Sequence, residues 1–404
     1  MKLEFPLVLD GAMGTQLYKK GYTPGICPEQ WSLENKDKVV SIQKAYVDAG
    51  SQVIYTPTFG ANRIVLERNK IIGKVREYNL ALVDISKEAS GGRALIAGDM
   101  SPTGAMLKPL GQLTFEEMFE IYREQAAALE EAGVDLFVIE TMMTVAEARA
   151  AVLAVKSVSD KPVFVTFTCS ENGRTMTGTD IRAALVIMQS MGVSAFGMNC
   201  SVGPGEMAEQ IRKLKEITRI PLIAKPNAGL PKNEDGINTY DVTADEFASF
   251  VPVLADAGAS IFGGCCGTDE SFIAAVKTAL ETVSYNQNNI ISETQLCATE
   301  RNIFSLEEMP EFSEIFDCDE DLEDNLMDSN PGDPVAVRFS SEEDLEIFAE
   351  CQFSVSGPLC MICEDAEILE KALRLYQGRA IYFGELSALT LAPLVRKYGL
   401  IIKN

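Results

Sequence analysis

The chain has 404 residues, 47% of them hydrophobic and 23% charged, which is the balance of an ordinary globular protein, and at this length one large domain beside a smaller one is expected. The formal net charge of −24 argues against nucleic acid or anionic lipid as a partner, since both need clustered Lys and Arg. No run reaches the roughly 18 to 20 apolar residues of a membrane helix, and the N-terminal MKLEFPLVLDG has no signal-peptide pattern, so no membrane contact and a cytoplasmic address are expected.

Eight apolar β-type runs follow one another between residues 7 and 267: LVLDG, VIYTPTFG, LIAGDMSP, LFVIETM, VFVTFTC, AFGMNC, LIAKPNAG and IFGGCCG. Helical periodicity fills the intervals. In the stretch from Thr114 to Gly133, Phe115, Met118, Phe119, Tyr122 and Leu129 repeat at three- and four-residue steps, with Thr114 as N-cap and Gly133 as stop. Eight such strands separated by amphipathic helices predict an α/β fold, a parallel sheet closed into a (β/α)₈ TIM barrel over residues 1–285. Beyond it, residues 286–332 read as a solvated linker, because Glu307 to Asp328 holds eleven acidic residues and no Lys or Arg. Residues 333–404 then predict a small α/β segment: PVAVRF, PLCMIC, RAIYFG and GLIIKN as strands, SEEDLEIFAEC and DAEILEKALRLYQG as helices.

Barrel enzymes place their chemistry at the C-terminal ends of the strands, where Asp10, Thr58, Asp99, Glu140, Cys169, Cys200, Asn227, Cys265 and Cys266 fall. The chain contains no histidine, which removes Ser-His and Cys-His nucleophile pairs and every mixed Cys/His zinc site. Any zinc must therefore rest on Cys, Asp or Glu. Cys200 ends the sixth run, and Cys265 with Cys266 end the eighth within GGCCGT. Three thiolates with one position left open match a catalytic zinc site, and soft sulfur favours zinc over magnesium or calcium. A vicinal disulfide is disfavoured, because neighbouring Cα atoms stand about 3.8 Å apart and bridged ones about 4.4 to 6.8 Å. Gly263, Gly264 and Gly267 flank the pair and free the backbone to turn both side chains toward one ion. The CxxC of Cys360 and Cys363 has no second pair at zinc-finger spacing and reads as core packing.

LDGAMGTQL at 9–17, TPTFGANR at 56–63, IET at 139–141, GMNCS at 197–201 and GGCCGT at 263–268 together resemble the homocysteine S-methyltransferase family over residues 1–285. The resemblance implies a zinc enzyme that methylates the thiol of homocysteine to give methionine, with Cys200, Cys265 and Cys266 as metal ligands. Zinc coordination deprotonates a thiol without help from a base. Gly11, Ala12, Met13, Gly14 and Thr15 follow the first strand and open a helix, so their amides are candidates for the substrate carboxylate. Asp10 and Glu140 are the candidate partners of its ammonium group, Asn199 and Asn227 neutral candidates, and Thr58 and Asn62 weaker ones.

TPTFGANR most resembles the homocysteine module of cobalamin-dependent methionine synthase, and residues 333–404 resemble the first part of that enzyme's folate-binding module. The methyl donor so implied is methylcobalamin. Without histidine this chain cannot carry the DxHxxG cobalt-ligand motif, so the cobalamin is expected on a separate corrinoid protein. The competing expectations are a stand-alone transferase using S-methylmethionine or a betaine-like donor, and a non-catalytic zinc-binding barrel acting as an adaptor.

Overall fold

The computed structural model describes residues 3–234, 237–283, 296–312 and 314–403. Each of the eight apolar runs forms a strand: β1 Leu7–Val8, β2 Val53–Tyr55, β3 Leu95–Met100, β4 Leu136–Met142, β5 Val163–Phe167, β6 Ala195–Asn199, β7 Leu222–Lys225 and β8 Ala259–Phe262. All their pairings are parallel, in the order β1-β8-β7-β6-β5-β4-β3-β2. The two ends of this series meet where the Gln52 amide donates to the Val8 carbonyl at 2.8 Å and the Val8 amide donates to Gln52 Oε1 at 2.9 Å. The sheet is thereby closed into a (β/α)₈ barrel.

Alternation along the strands sorts the side chains into two cores. Leu7, Val53, Leu136, Val138, Ile223 and Ile261 fill the barrel interior, whereas Val8, Ile54, Phe137, Ile139 and Val165 point outward against the helices. Both faces are dry, so the strands read as unbroken apolar runs. The helix Phe115–Glu131 begins with a reciprocal capping box between Thr114 and Glu117, which satisfies two amide groups that a helix start leaves open.

The C-terminal residues build a second parallel sheet whose strands, Ile315–Asp317, Val335–Arg338, Leu359–Ile362, Ile381–Phe383 and Ile401–Lys403, lie side by side in chain order. The helices Leu322–Asp328, Glu342–Cys351, Ala366–Leu375 and Ala388–Tyr398 make the crossovers. A hairpin of Leu296–Ala298 and Ile303–Ser305 covers the face bearing Ala336, Cys360 and Ile381. Two features differ from expectation. Residues 286–295 and 313 of the expected linker lie outside the described residues, but the rest of it supplies the hairpin, the first strand of the second sheet and a helix with Leu322 and Leu326 buried. Its acidic residues mask two leucines spaced one helical turn apart. The helix Ala388–Tyr398 was not foreseen, and it holds Pro393 in its interior.

The two sheets are joined through the barrel helix Val145–Val158, whose residues 145–155 are all buried. Arg149 of this helix donates to the carbonyls of Leu373 at 2.6 Å and Arg374 at 3.2 Å. Arg374 in turn reaches back to Glu116 with two bonds of 2.6 and 2.7 Å. A helix buried on every face is explained by this sandwiched position.

Candidate metal centre

Strand β6 delivers Cys200 by an abrupt turn, with Cys200 at φ 63° and Ser201 at φ 61°. Left-handed backbone costs a non-glycine residue about 1 kcal/mol or more, and such strain is retained only where the surroundings enforce it. Here the loop after β7 does so. The Cys200 amide donates to the Lys225 carbonyl at 3.2 Å, the Cys265 amide to Pro226 at 2.7 Å, and the Ala228 amide to Cys266 at 2.9 Å. One loop thus clamps both cysteine-bearing turns.

Of the flanking glycines, Gly267 has positive φ (88°). Gly264 serves close approach instead, since a Cβ there would stand 2.4 Å from the Thr268 hydroxyl. The three Sγ atoms lie within 4.8 Å of one another, with Cys200 and Cys266 4.0 Å apart. Two sulfurs about 2.3 Å from a tetrahedral zinc ion stand about 3.8 Å apart. The donor set and its spacing fit such an ion. All ten cysteines are free thiols, Cys265 and Cys266 included.

Hydrogen bonds from Cys265 and Cys266 hold the Cys200 thiol down to about 3. The contact with Cys200 in turn pushes Cys266 up to about 11 and Cys265 well above its ordinary value. Tyr240 is pushed up by burial and by the neighbouring Cys266.

Asn199 links the cluster to the strand of Glu140. Its Oδ1 accepts from the Thr141 amide at 2.9 Å and from the Thr166 hydroxyl at 2.8 Å, while Nδ2 donates to Thr141 Oγ1 at 2.7 Å. The same Nδ2 lies 3.5 Å from Glu140 Oε2 and 3.8 Å from Cys265 Sγ. Asn227 is buried with its Oδ1 unpartnered, and its side chain hydrogen-bonds Cys200.

Beneath them Asp10 is already engaged. It accepts from the Tyr55 amide at 2.7 Å and pairs with Lys225 Nζ at 3.0 Å, both side chains buried. Lys225 also stands 3.8 Å from the centre of the Tyr55 ring. Burial raises Asp10 and Glu140, and Lys225 opposes that rise in both. Asp99 is a third buried carboxylate, raised by burial and by Glu140, with Oδ1 unpartnered.

The other sequence candidates are used differently. The Ala12 amide donates to Thr268 Oγ1 at 3.2 Å, Ala12 O accepts from Tyr46 at 2.7 Å, and Thr15 Oγ1 accepts from Gly267 N at 3.3 Å. A Cβ on Gly11 would meet the Tyr46 ring at 2.7 Å. Met13 is the N-cap residue of the short helix Gly14–Lys19. This loop is therefore pinned to the GGCCGT turn, and the Ala12 amide is already taken. Thr58 donates to the Asp99 carbonyl at 2.7 Å, and Asn62 caps the helix Arg63–Arg68 through the Val65 amide at 3.0 Å. Both are buried framework residues. Sequence reasoning missed Lys225, Tyr55 and Tyr240 and left Asp99 without a role. A lysine within the apolar run LIAKPNAG was the available signal.

The profile described as homocysteine S-methyltransferase matches residues 7–280. The chain belongs to the homocysteine S-methyltransferase family. It is 32% identical over 292 residues to the methionine synthase of Mycobacterium leprae (strain TN), covering 68% of this chain and 24% of that protein. To the methionine synthase of Mycobacterium tuberculosis (strain ATCC 25618 / H37Rv) it is 30% identical over 305 residues, covering 71% and 26%. The chain thus spans about a quarter of the length of these relatives. The metallated form of the homocysteine methyltransferase MmuM from Escherichia coli shares the fold at a TM-score of 0.58 and 23% identity, over 67% of this chain and 95% of that one. Among the described residues no helix is long and apolar enough to cross a membrane.

Proposed function

We propose that this family member is a zinc-dependent homocysteine S-methyltransferase of the methionine synthase type, with Cys200, Cys265 and Cys266 holding the metal. The observation that carries the reading is the convergence of the three sulfurs within 4.8 Å at the mouth of a barrel. Zinc, when bound, supplies a thiolate at neutral pH from a coordinated thiol. The chain's own residues do the rest. Glu140, next to Asn199, is the natural acceptor for the homocysteine ammonium, and Asp10 is already paired with Lys225. Asn199 and Asn227 orient the sulfurs. Displacement at a methyl carbon depends on alignment more than on a general base, which suits a site without histidine.

For the donor, the motif resemblance favours methylcobalamin presented by a separate corrinoid protein. Exposed Phe59, Met176 and Leu230 on loops following β2, β5 and β7 give the rim an apolar character that suits a docking protein. The stand-alone reading is kept because the matched region spans 95% of the homocysteine methyltransferase chain from Escherichia coli. Turnover with a methylated corrinoid protein is compared with turnover on S-methylmethionine. The first is expected to support methionine formation, and efficient reaction with S-methylmethionine alone would shift the assignment. Cys200→Ala is expected to lose zinc and activity together by elemental analysis and assay, while Cys360→Ala keeps both. A metal-free, fully active protein would reject the metal assignment.

A further inference from the structure

A cavity of about 260 Å³ lies at the seam between the barrel and the C-terminal sheet, outside the cysteine site. Its walls come from the loop after β3, the start of the helix Val145–Val158, the hairpin segment at Thr299–Arg301 and the end of the helix Glu342–Cys351. Met106, Leu110, Phe353 and Tyr376 supply apolar surface, and the first three are exposed by 39, 75 and 50%. Glu147 also lines the cavity although the residue is only 4% exposed. Its Oε1 accepts three hydrogen bonds, from the Thr103 amide at 2.8 Å, the Thr103 hydroxyl at 2.7 Å and the Tyr122 hydroxyl at 3.0 Å. Among the described residues Oε2 has no partner. Glu300, half-buried on the C-terminal side, accepts only a long bond of 3.3 Å from Thr179 there. Lys108 and Arg301 also line the cavity and are both exposed, and neither makes a hydrogen bond or ion pair with Glu147 or Glu300 among the described residues.

We propose that this cavity binds a small organic ammonium compound with an apolar body, its cationic head on the carboxylates of Glu147 and Glu300. A carboxylate taken out of water without a counter-ion is costly, and a cation arriving in the cavity offsets that cost. Tyr376 and Phe353 line the cavity, and an aromatic ring beside the head group favours a cation over a neutral analogue of the same shape. Burial is the largest influence on both carboxyl groups and raises them, and at Glu300 the neighbouring Arg301 opposes that rise without cancelling it. Since the two carboxylates belong to the barrel and to the C-terminal residues, occupancy ties these parts together. The site also adjoins Thr144, three residues after Thr141, whose φ of 61° shapes the end of β4 at the cysteine cluster.

The test uses the full chain and benzylamine, with benzyl alcohol and benzoate as neutral and anionic analogues, in titration calorimetry. Benzylamine is expected to bind at least about tenfold more tightly than benzyl alcohol, the value of one charge-assisted hydrogen bond, and benzoate not to bind. Glu300→Gln and Glu147→Gln are each expected to weaken the amine by about tenfold without changing benzyl alcohol binding. In Glu147→Gln the amide oxygen still accepts from Thr103 and Tyr122, and Glu300→Gln stands as the independent variant if that one fails to fold. Equal binding of amine and alcohol, no binding of benzylamine, or binding abolished by Glu140→Gln and untouched by Glu300→Gln would each overturn the proposal. None of these outcomes depends on zinc or on the methyl-transfer reading.

Discussion

Lys225 is the residue around which the barrel mouth is organised. Its ammonium group is 5% exposed and meets Asp10, 4% exposed, at 3.0 Å. A buried pair of this kind is weak evidence for net stabilisation, yet removing one partner strands the other charge and costs about 3 to 5 kcal/mol. Lys225→Met is therefore expected to lower unfolding free energy by that amount in urea, and the added change Asp10→Asn to recover most of it. Additive losses would show that the two side chains do not depend on each other. Asp99 makes a separate prediction. Its folded-state pKa is raised above the unfolded value by burial first and Glu140 second, so the folded chain binds more protons over that interval. Stability then falls as pH rises from the ordinary Asp range toward the raised value, by at most about 1.4 kcal/mol per pH unit. Asp99→Asn keeps the shape without the charge and should flatten that decline in thermal melts taken from pH 4 to 8. An unchanged slope would mean that other groups dominate.

At the scale of elements, the strained turn after β6 is the device that aims Cys200. Ser201 at φ 61° hydrogen-bonds through its hydroxyl to Thr168, and glycine would adopt the same backbone without strain. Ser201→Gly relieves about 1 to 2 kcal/mol of left-handed strain and loses about 0.4 to 1 kcal/mol to the freer unfolded chain, so apo stability is expected to shift by no more than about 1 kcal/mol while zinc binding weakens in a chelator competition, because the turn loses its rigidity. Tighter metal binding by the variant would contradict that role. The strands and their thiols were legible in the sequence because parallel strands buried on both faces leave long apolar runs, and because GMNCS and GGCCGT break those runs with residues that have no packing reason to be there. Less legible were contacts that exist only once the barrel closes. The pairing of Asp10 with Lys225 spans 215 positions, and Thr58 and Asn62 spend their side chains on the Asp99 carbonyl and the Val65 amide. The acidic stretch misled for another reason: the buried face of Leu322–Asp328 rests on Leu322 and Leu326, too few apolar residues for periodicity to register.

For the whole molecule, the question is what keeps the C-terminal sheet attached to the barrel. Arg149 sits wholly inside the joint and caps the last turn of Ala366–Leu375 through the carbonyls of Leu373 and Arg374, groups that a helix end leaves without intrahelical partners. Burial pulls its guanidinium down to about 10, so it remains charged at neutral pH. The bidentate contact of Arg374 with Glu116 lies at the border of this joint, where the Glu116 side chain is 63% exposed, and an ion pair open to solvent on one side is screened and adds little. The buried arginine is thus the contact whose loss should be felt. Arg149→Met preserves most of the volume but leaves two carbonyls facing an apolar chain, at a cost of roughly 1 to 3 kcal/mol. The expected outcome is faster amide hydrogen exchange in residues 366–375 and across the second sheet, with the barrel strands unchanged and zinc content intact. Exchange that accelerates equally in both sheets would mean that they open as one cooperative unit and that Arg149 supports the barrel itself.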